Sequence, residues 1–349
     1  MDFFTDIATT ILSQMQKPTL AFLLGGMMLA ALGSRLEVPQ PVYKFVVMVL
    51  LLKVGLSAGI AIRSADLATL VVPALLAAAA GVAIVLLGGA TLARWRGVAP
   101  MDGMATAGVF GAVSASTLAA AMAMLDAENI SYEGFIGALY PFMDVAALVT
   151  AILLARLSAA RSATTSGGTV TVGGGGSGGM SGAGGMARDI LVDTLRSPAI
   201  SALLLGIAIG VLGRPESVYQ SFYEPLFRGL LSILMLVMGM EAWARLSELR
   251  KVAHAYVLYG LTAPLIHGLI GFGAGLIAHQ LTGFSGGGVV LLAVMAASSS
   301  DISGPPTMRA ALPEANSASY VGASTGLGTP VAILSIPLWI ALVERTIGL

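Results

Sequence analysis

The chain has 349 residues, 56% of them hydrophobic and 10% charged, with 18 basic and 18 acidic side chains in balance. Soluble domains carry about a quarter of their residues as charged types, so a chain this apolar has lipid as its solvent, and zero net charge excludes a polybasic nucleic-acid binder. The absence of cysteine removes disulfides and thiolate metal sites.

Residues MDFFTDIATTILSQMQKP open with Asp2 and Asp6 in place of the basic region of a signal peptide. Phe3, Phe4, Ile7, Ile11, Leu12 and Met15 recur at helical spacing, which predicts a short helix lying in the interface. A bilayer core about 30 Å thick takes roughly 20 apolar residues per helix. On that measure ten spans are predicted: 19–36, 42–62, 68–94, 103–125, 134–157, 197–213, 223–246, 253–281, 286–311 and 318–343. Between the fifth and sixth lies GGTVTVGGGGSGGMSGAGGM (167–186), a flexible linker by composition. No strand precedes its glycines and no Lys-Ser/Thr follows them, so they do not read as a phosphate loop.

The two halves resemble each other. KPTLAFLLGGMMLAALG (17–33) matches SPAISALLLGIAIGVLG (197–213), pairing Pro18 with Pro198, Leu23 with Leu203, Gly26 with Gly206 and Gly33 with Gly213. ENISYEGFIGALYPFMDVAAL (128–148) matches EANSASYVGASTGLGTPVAIL (314–334), with Gly137-Ala138 on Gly322-Ala323 and Asp144 on Thr329. The expected fold is an all-α membrane protein of about ten transmembrane helices in two inverted five-helix repeats, 1–157 and 197–349, joined by a linker at 158–196. Five is odd, so the second copy starts on the opposite side of the membrane, as in many secondary transporters.

One set of loops collects Arg35, Lys44, Arg94, Arg96, Arg156, Arg161, Arg188, Arg196, Arg245, Arg250, Lys251 and Arg309. The other collects Lys17, Arg63, Arg214, Arg228 and Arg345. The positive-inside rule makes the first set cytoplasmic and places both termini outside.

Candidate chemistry lies where helices break. Span four carries Ser114, Ala115, Ser116 and Thr117; span nine carries Ser298, Ser299, Ser300, Asp301 and Ser303 before Gly304-Pro305-Pro306. Prolines lack amide donors and clash with the preceding turn, so they suit the start of a new half-helix with Ser303 as its N-cap. Discontinuous helices at the midplane survive only where protein or a watery cavity surrounds them. Their first turns offer unpaired amides and partial positive charge, an anion site to which serine hydroxyls add donors.

Asp301 and Asp144 are intramembrane carboxylates, which cost several kcal/mol unless compensated. A hard monovalent cation held by carboxylate, hydroxyl and carbonyl oxygens would compensate them, with Thr325 and Thr329 of a third break (Thr325–Pro330) as further ligands. The alternative is that each aspartate caps a helix or pairs with a base such as Arg309. Lys53 and Glu241, inside spans two and seven, read as a buried ion pair. His267 and His279 are too far apart for one helical face and have no metal partners in sequence.

The stretches FGAVSASTLAA, GALYPFMDVAALVTAI, PLFRGLLSILMLVMGMEAW and AASSSDISGPPTMRA resemble the cyanobacterial sodium-dependent bicarbonate transporters of the SbtA type, and the likeness runs through the chain except the linker. The resemblance implies a carrier rather than an enzyme, without cofactor beyond the coupling ion. It implies a bicarbonate–sodium symporter of the carbon-concentrating mechanism, in the cytoplasmic membrane, forming a homotrimer that a PII-like regulatory protein binds from the cytoplasm. It places bicarbonate between the starts around Ser114–Thr117 and Ser298–Ser303, and sodium near Asp144, Asp301, Thr325 and Thr329. It also implies a core domain (about 68–157 and 253–349) moving against a gate domain (about 1–62 and 197–246). The linker departs from that family's longer, more charged segment. The rival readings are a sodium- or proton-coupled carrier of a carboxylate or sulfate, and an intramembrane aspartyl protease using Asp144 and Asp301 as a dyad, for which no GxGD sequence is present.

Overall fold

The computed structural model describes residues 16, 18–64, 67–165, 185, 188, 191–192, 195–249 and 254–349. The expected interfacial helix at the N-terminus and nearly all of the glycine-rich linker lie outside the described residues. Those described form helices and connecting turns, with no strand among them.

The first half contains α1 (Pro18–Ala31), α2 (Gln40–Ile62), α3 (Leu67–Ala90), α4 (Pro100–Gly111), α5 (Ala115–Ala127) and α6 (Tyr140–Thr165). The second contains α7 (Pro198–Leu212), α8 (Glu224–Leu249), α9 (His254–Thr282), α10 (Gly286–Ala297), α11 (Gly304–Ala311), α12 (Ser317–Val321), α13 (Thr329–Leu334) and α14 (Ile336–Thr346). A π-turn at Tyr219–Tyr223 leads into α8, and another at Gly322–Gly328 joins α12 to α13. Proline opens α2, α4 and α7 in the first turn, where its missing amide would be unpaired anyway.

Seven spans among the described residues are long and apolar enough to cross a membrane. Three apolar helices are shorter: Pro18–Ala31, Pro198–Leu212 and Gly286–Ala297. Each shortening has a local cause. α1 stops before Gly33, whose φ of 75° ends the right-handed helix. α7 stops at Gly213, and α10 stops where the serines of 298–300 leave helical geometry. The first span therefore ends at Ala31 instead of 36, whereas the fifth continues past 157 to Thr165 because Ala, Arg and Ser there are compatible with a helix.

The packing is reciprocal between the halves. α1 lies along α8, and α7 lies along α2. At these crossings a side chain at Gly26 would collide with the Leu236 carbonyl, and one at Gly239 with the Leu23 carbonyl. One at Gly206 would meet the Leu52 carbonyl, and one at Gly55 the Leu203 carbonyl. Small residues let backbones approach closely where lipid supplies no hydrophobic drive between helices.

α4, α5 and α10 are enclosed by the other elements, and the whole of Gly287–Ala297 is buried. Two acidic side chains tie the halves together across this centre. Glu133, between α5 and α6, accepts the amide of Ser285 at 2.6 Å and its hydroxyl at 2.9 Å where α10 begins. Asp102, in the first turn of α4, accepts the amide of Asn316 at 2.9 Å before α12.

Gly25 and Gly26 separate the cost of filling a crossing from that of a bulkier helix residue, because Gly25 has nothing within 4 Å of where a Cβ would stand. Gly26→Val is expected to destabilise the purified protein by about 1–3 kcal/mol or more, the usual scale of overpacking, while Gly25→Val stays close to wild type. Thermal unfolding in detergent reads both; equal losses would mean that α1 does not rest on α8 through Gly26.

Candidate functional site

Both central spans break where their sequences change character. α4 ends at Gly111, Ala112–Ser114 run extended, and α5 restarts with Ser114 as N-cap, its Oγ accepting the Thr117 amide at 3.1 Å. α10 ends at Ala297, residues 298–303 leave the helix, and α11 restarts at Gly304 with proline in its first turn. The expected N-cap on α11 is corrected: Ser303 makes no capping bond, and the Gly304 amide donates instead to Ser300 Oγ at 2.8 Å. Ser303 is in the αR region, so its own backbone is already helical, and its hydroxyl is engaged elsewhere.

The two breaks touch. The Ser114 amide donates to Ser298 Oγ at 3.0 Å, and the Ser300 amide donates to the Val109 carbonyl at 2.8 Å. Ser298 sends its own proton to the Met295 carbonyl at 2.7 Å, which leaves its lone pairs for Ser114. Ser114, Ser116, Thr117, Ser298, Ser299, Ser300, Ser303, Asp144 and Thr329 are all buried, and Ala115 is 6% exposed. The backbone freed by each interruption is thus satisfied partly by the other interruption, as a water-poor interior requires.

Two hydroxyl chains run through this junction, each ending on a carboxylate. In the first, Ser303 Oγ donates to Asp144 Oδ2 at 3.0 Å, so Ser300, 2.9 Å from Ser303, is left to donate to it. Tyr140, one helical turn before Asp144, also reaches Ser303 at 3.4 Å. The other oxygen of Asp144 accepts the Val113 amide at 3.1 Å. In the second chain, Ser116 Oγ donates to Asp301 Oδ2 at 2.8 Å, Ser114 lies 2.8 Å from Ser116, and Thr117 donates to Ser114 at 3.0 Å. A carboxylate accepts only, so it orients each hydroxyl that feeds it. Donors left over include peptide amides: Ala115 and Ser116, in the first turn of α5, have no hydrogen-bond partner among the described residues. The acceptor left over is Asp301 Oδ1, closed to solvent and without a hydrogen bond. No Lys or Arg among the described residues hydrogen-bonds either aspartate, so the pairing of an aspartate with Arg309 is not found.

Ser299 and Thr329 form a separate link at 3.3 Å, beside Gly328, where a side chain would strike the Phe110 ring. Thr325 is buried in the π-turn and hydrogen-bonds neither aspartate. Nor do the carboxyls of Asp144 and Asp301 bond to each other. Sequence reasoning found the serines and both aspartates but missed Tyr140, the Val109 carbonyl and the Val113 amide. Tyr140 carried a signal in its i to i+4 spacing from Asp144; the two backbone groups carried none.

A family model for the Na+-dependent bicarbonate transporter superfamily matches residues 18–344. The chain belongs to this superfamily. The match extends over both halves and takes in every residue of the junction, in agreement with the SbtA-type resemblance read from the sequence. A search of curated proteins found no match. As a member of the bicarbonate transporter superfamily the chain is a multi-pass membrane protein, and its apolar helices fit that class.

The expected ion pair of Lys53 with Glu241 is corrected. Lys53 Nζ lies over the Phe227 ring, 4.2 Å from its centroid, while Glu241 takes a hydrogen bond from Gln40. Phe227 and Glu241 are fourteen residues apart on α8, roughly 20 Å at 1.5 Å per residue, beyond the reach of one lysine.

Asp144 is the acceptor that closes the first chain, so its loss leaves a buried amide unpaired. Asp144→Ala is expected to destabilise the protein by about 1–3 kcal/mol, whereas Asp144→Asn keeps an oxygen for Val113 and stays near wild type. Melting curves of the two variants in detergent decide it; equal stability would remove Asp144 from the junction's framework.

Proposed function

We propose that the chain is a sodium-dependent bicarbonate symporter working by alternating access around the junction of α5 and α11. The observation that carries this reading is the groups left there without a partner among the described residues: two amides at the start of α5 and the Oδ1 of Asp301. Free amides at a helix start take a small oxyanion, and an unpartnered buried carboxylate oxygen takes a cation. Family membership supplies the identity of both solutes; the junction alone would serve other small anions equally well.

The hydroxyl chains supply a coupling mechanism. Without a cation, Ser114, Ser116, Thr117, Ser300 and Ser303 point their protons toward the two aspartates and offer an anion mainly lone pairs. Sodium at Asp301, and near Asp144, takes over the negative charge that holds those protons. The hydroxyls then turn toward bicarbonate and join the amides of Ala115 and Ser116. Ser298 and Ser299 line the same junction from α10, and Thr329 adds an oxygen through Ser299. Thr325 is the ligand with least support, since nothing joins it to either carboxylate. Each solute prepares the site for the other, and such coupling is equal in both directions.

The reciprocal packing of α1 on α8 and α7 on α2 supports two inverted five-helix repeats, because a two-fold relation exchanges these contacts. It also supports α1, α2, α7 and α8 as a gate against which the remaining helices move. Arg63, which binds the Gly213 carbonyl at 2.7 Å and pairs with Glu216, joins loops assigned to one face. Arg156, on the Ala311 carbonyl at 2.8 Å, joins loops assigned to the other. Lysine and arginine counts support the first face as outside, both termini with it, and the plasma membrane follows from the resemblance. Trimer formation and a PII-like cytoplasmic partner rest on the resemblance alone. The absence of any bond between the two carboxyls weighs against an aspartyl-protease dyad, which shares a proton.

Purified protein reconstituted in liposomes is expected to take up labelled bicarbonate only with an inward sodium gradient. Asp301→Ala is expected to lose at least about 90% of that uptake, in line with the loss of a buried charged ligand. Uptake that persists without sodium, or that sulfate or acetate supports equally well, would overturn the assignment.

A further inference from the structure

Lys53 stands inside the membrane-spanning part of α2, is 6% exposed, and forms no ion pair with any described residue. Its ammonium is held by aromatic faces instead, 4.2 Å from the Phe227 centroid and 5.8 Å from that of Tyr219. An intramembrane lysine with no countercharge among the described residues is a poor structural element and a good place for an anion.

Its position relates it to the junction. Phe227 and Leu234 are seven residues apart and lie on one side of α8, a separation of about 10 Å along the helix. Leu234 lines a small cavity with Leu50 and Val54 of α2 and with Ala115 and Ser116 of α5. The contact between α2, α8 and α5 therefore extends from the neighbours of Lys53 to the first turn of α5. Towards its other end α2 finishes at Ile62, beside the Arg63–Glu216 pair.

We propose that Lys53, framed by Phe227 and Tyr219, is a separate station for a small oxyanion on its way to the helix breaks. This rests on the symport reading and adds to it an access site that the junction does not contain. The aromatic rings hold the charge in place without neutralising it, because a ring face attracts a cation yet leaves its net charge intact. Across about 10 Å of protein and little water the attraction is weakly screened, so the anion is concentrated beside this contact before it reaches α5.

The inference is tested by initial rates of bicarbonate uptake in liposomes. Lys53→Gln is expected to raise KM for bicarbonate about tenfold, within the range that focusing of a charged substrate provides, with the maximal rate and sodium dependence kept. Lys53→Arg is expected to restore the wild-type KM. Because the chain has no native cysteine, Lys53→Cys gives a single thiol for a control that compares one folded preparation with itself. Attaching an aminoethyl group through a mixed disulfide restores a positive charge and is expected to lower KM; attaching a sulfonatoethyl group is expected to raise it. A KM that does not follow the charge at position 53, in a wild-type background that transports, would overturn this station and leave the symport reading standing. Absence of sodium-driven uptake in the wild type would overturn both.

Discussion

Two carboxylates at a pair of helix interruptions, Asp144 buried and Asp301 partly so, govern the arrangement of this protein's centre. Asp144 and Asp301 can only accept, and the serines around them direct their protons accordingly. That constraint explains why the hydroxyls of both chains are committed as donors, while the amides of Ala115 and Ser116 are left free. It also explains why the interruptions are adjacent. Backbone freed at membrane depth costs several kcal/mol per unpaired group, and Ser114 and Ser300 recover that cost by bonding across to the opposite break.

The surrounding helices serve this geometry in two ways. Glycine crossings such as Gly26 on Leu236 and Gly206 on Leu52 bring α1, α2, α7 and α8 into pairs that exchange partners between the halves. Around the breaks, Glu133 holds Ser285, the N-cap of α10, and Asp102 holds Asn316, the N-cap of α12, so each half fixes where the other's broken span begins or continues. A junction whose two sides are fixed in this manner suits the proposed core domain carrying its solutes past the gate.

Much of this was legible from residues alone. Runs of about twenty apolar residues located the spans, and clustered hydroxyls followed by Gly304-Pro305-Pro306 located the second break, since prolines cannot continue a helix. The first break had a weaker signal, three hydroxyls in a run of small residues, and repeat matching strengthened it. What stayed hidden is what depends on three-dimensional neighbours. Ser300 caps α11 instead of Ser303 because Asp144, far away in sequence, claims the Ser303 hydroxyl. Lys53 and Glu241 looked like partners by repeat position, yet Phe227, on whose ring Lys53 rests, and Glu241 stand roughly 20 Å apart along α8. The hold of Glu133 on Ser285 and of Asp102 on Asn316 leaves no mark on local periodicity. Nor could sequence show that the hydroxyls, expected as anion donors, are turned towards the carboxylates.

Membership of the Na+-dependent bicarbonate transporter superfamily gives the solutes, and the two hydroxyl chains give a reason why one solute should wait for the other. The most direct measurement is equilibrium binding of labelled bicarbonate to the purified protein across a series of sodium concentrations, with choline keeping ionic strength constant. The expected result is a bicarbonate dissociation constant that falls as sodium rises, together with a sodium dissociation constant that falls by the same factor as bicarbonate rises. A bicarbonate affinity independent of sodium would contradict the release of hydroxyl donors by the cation, and with it the proposed coupling.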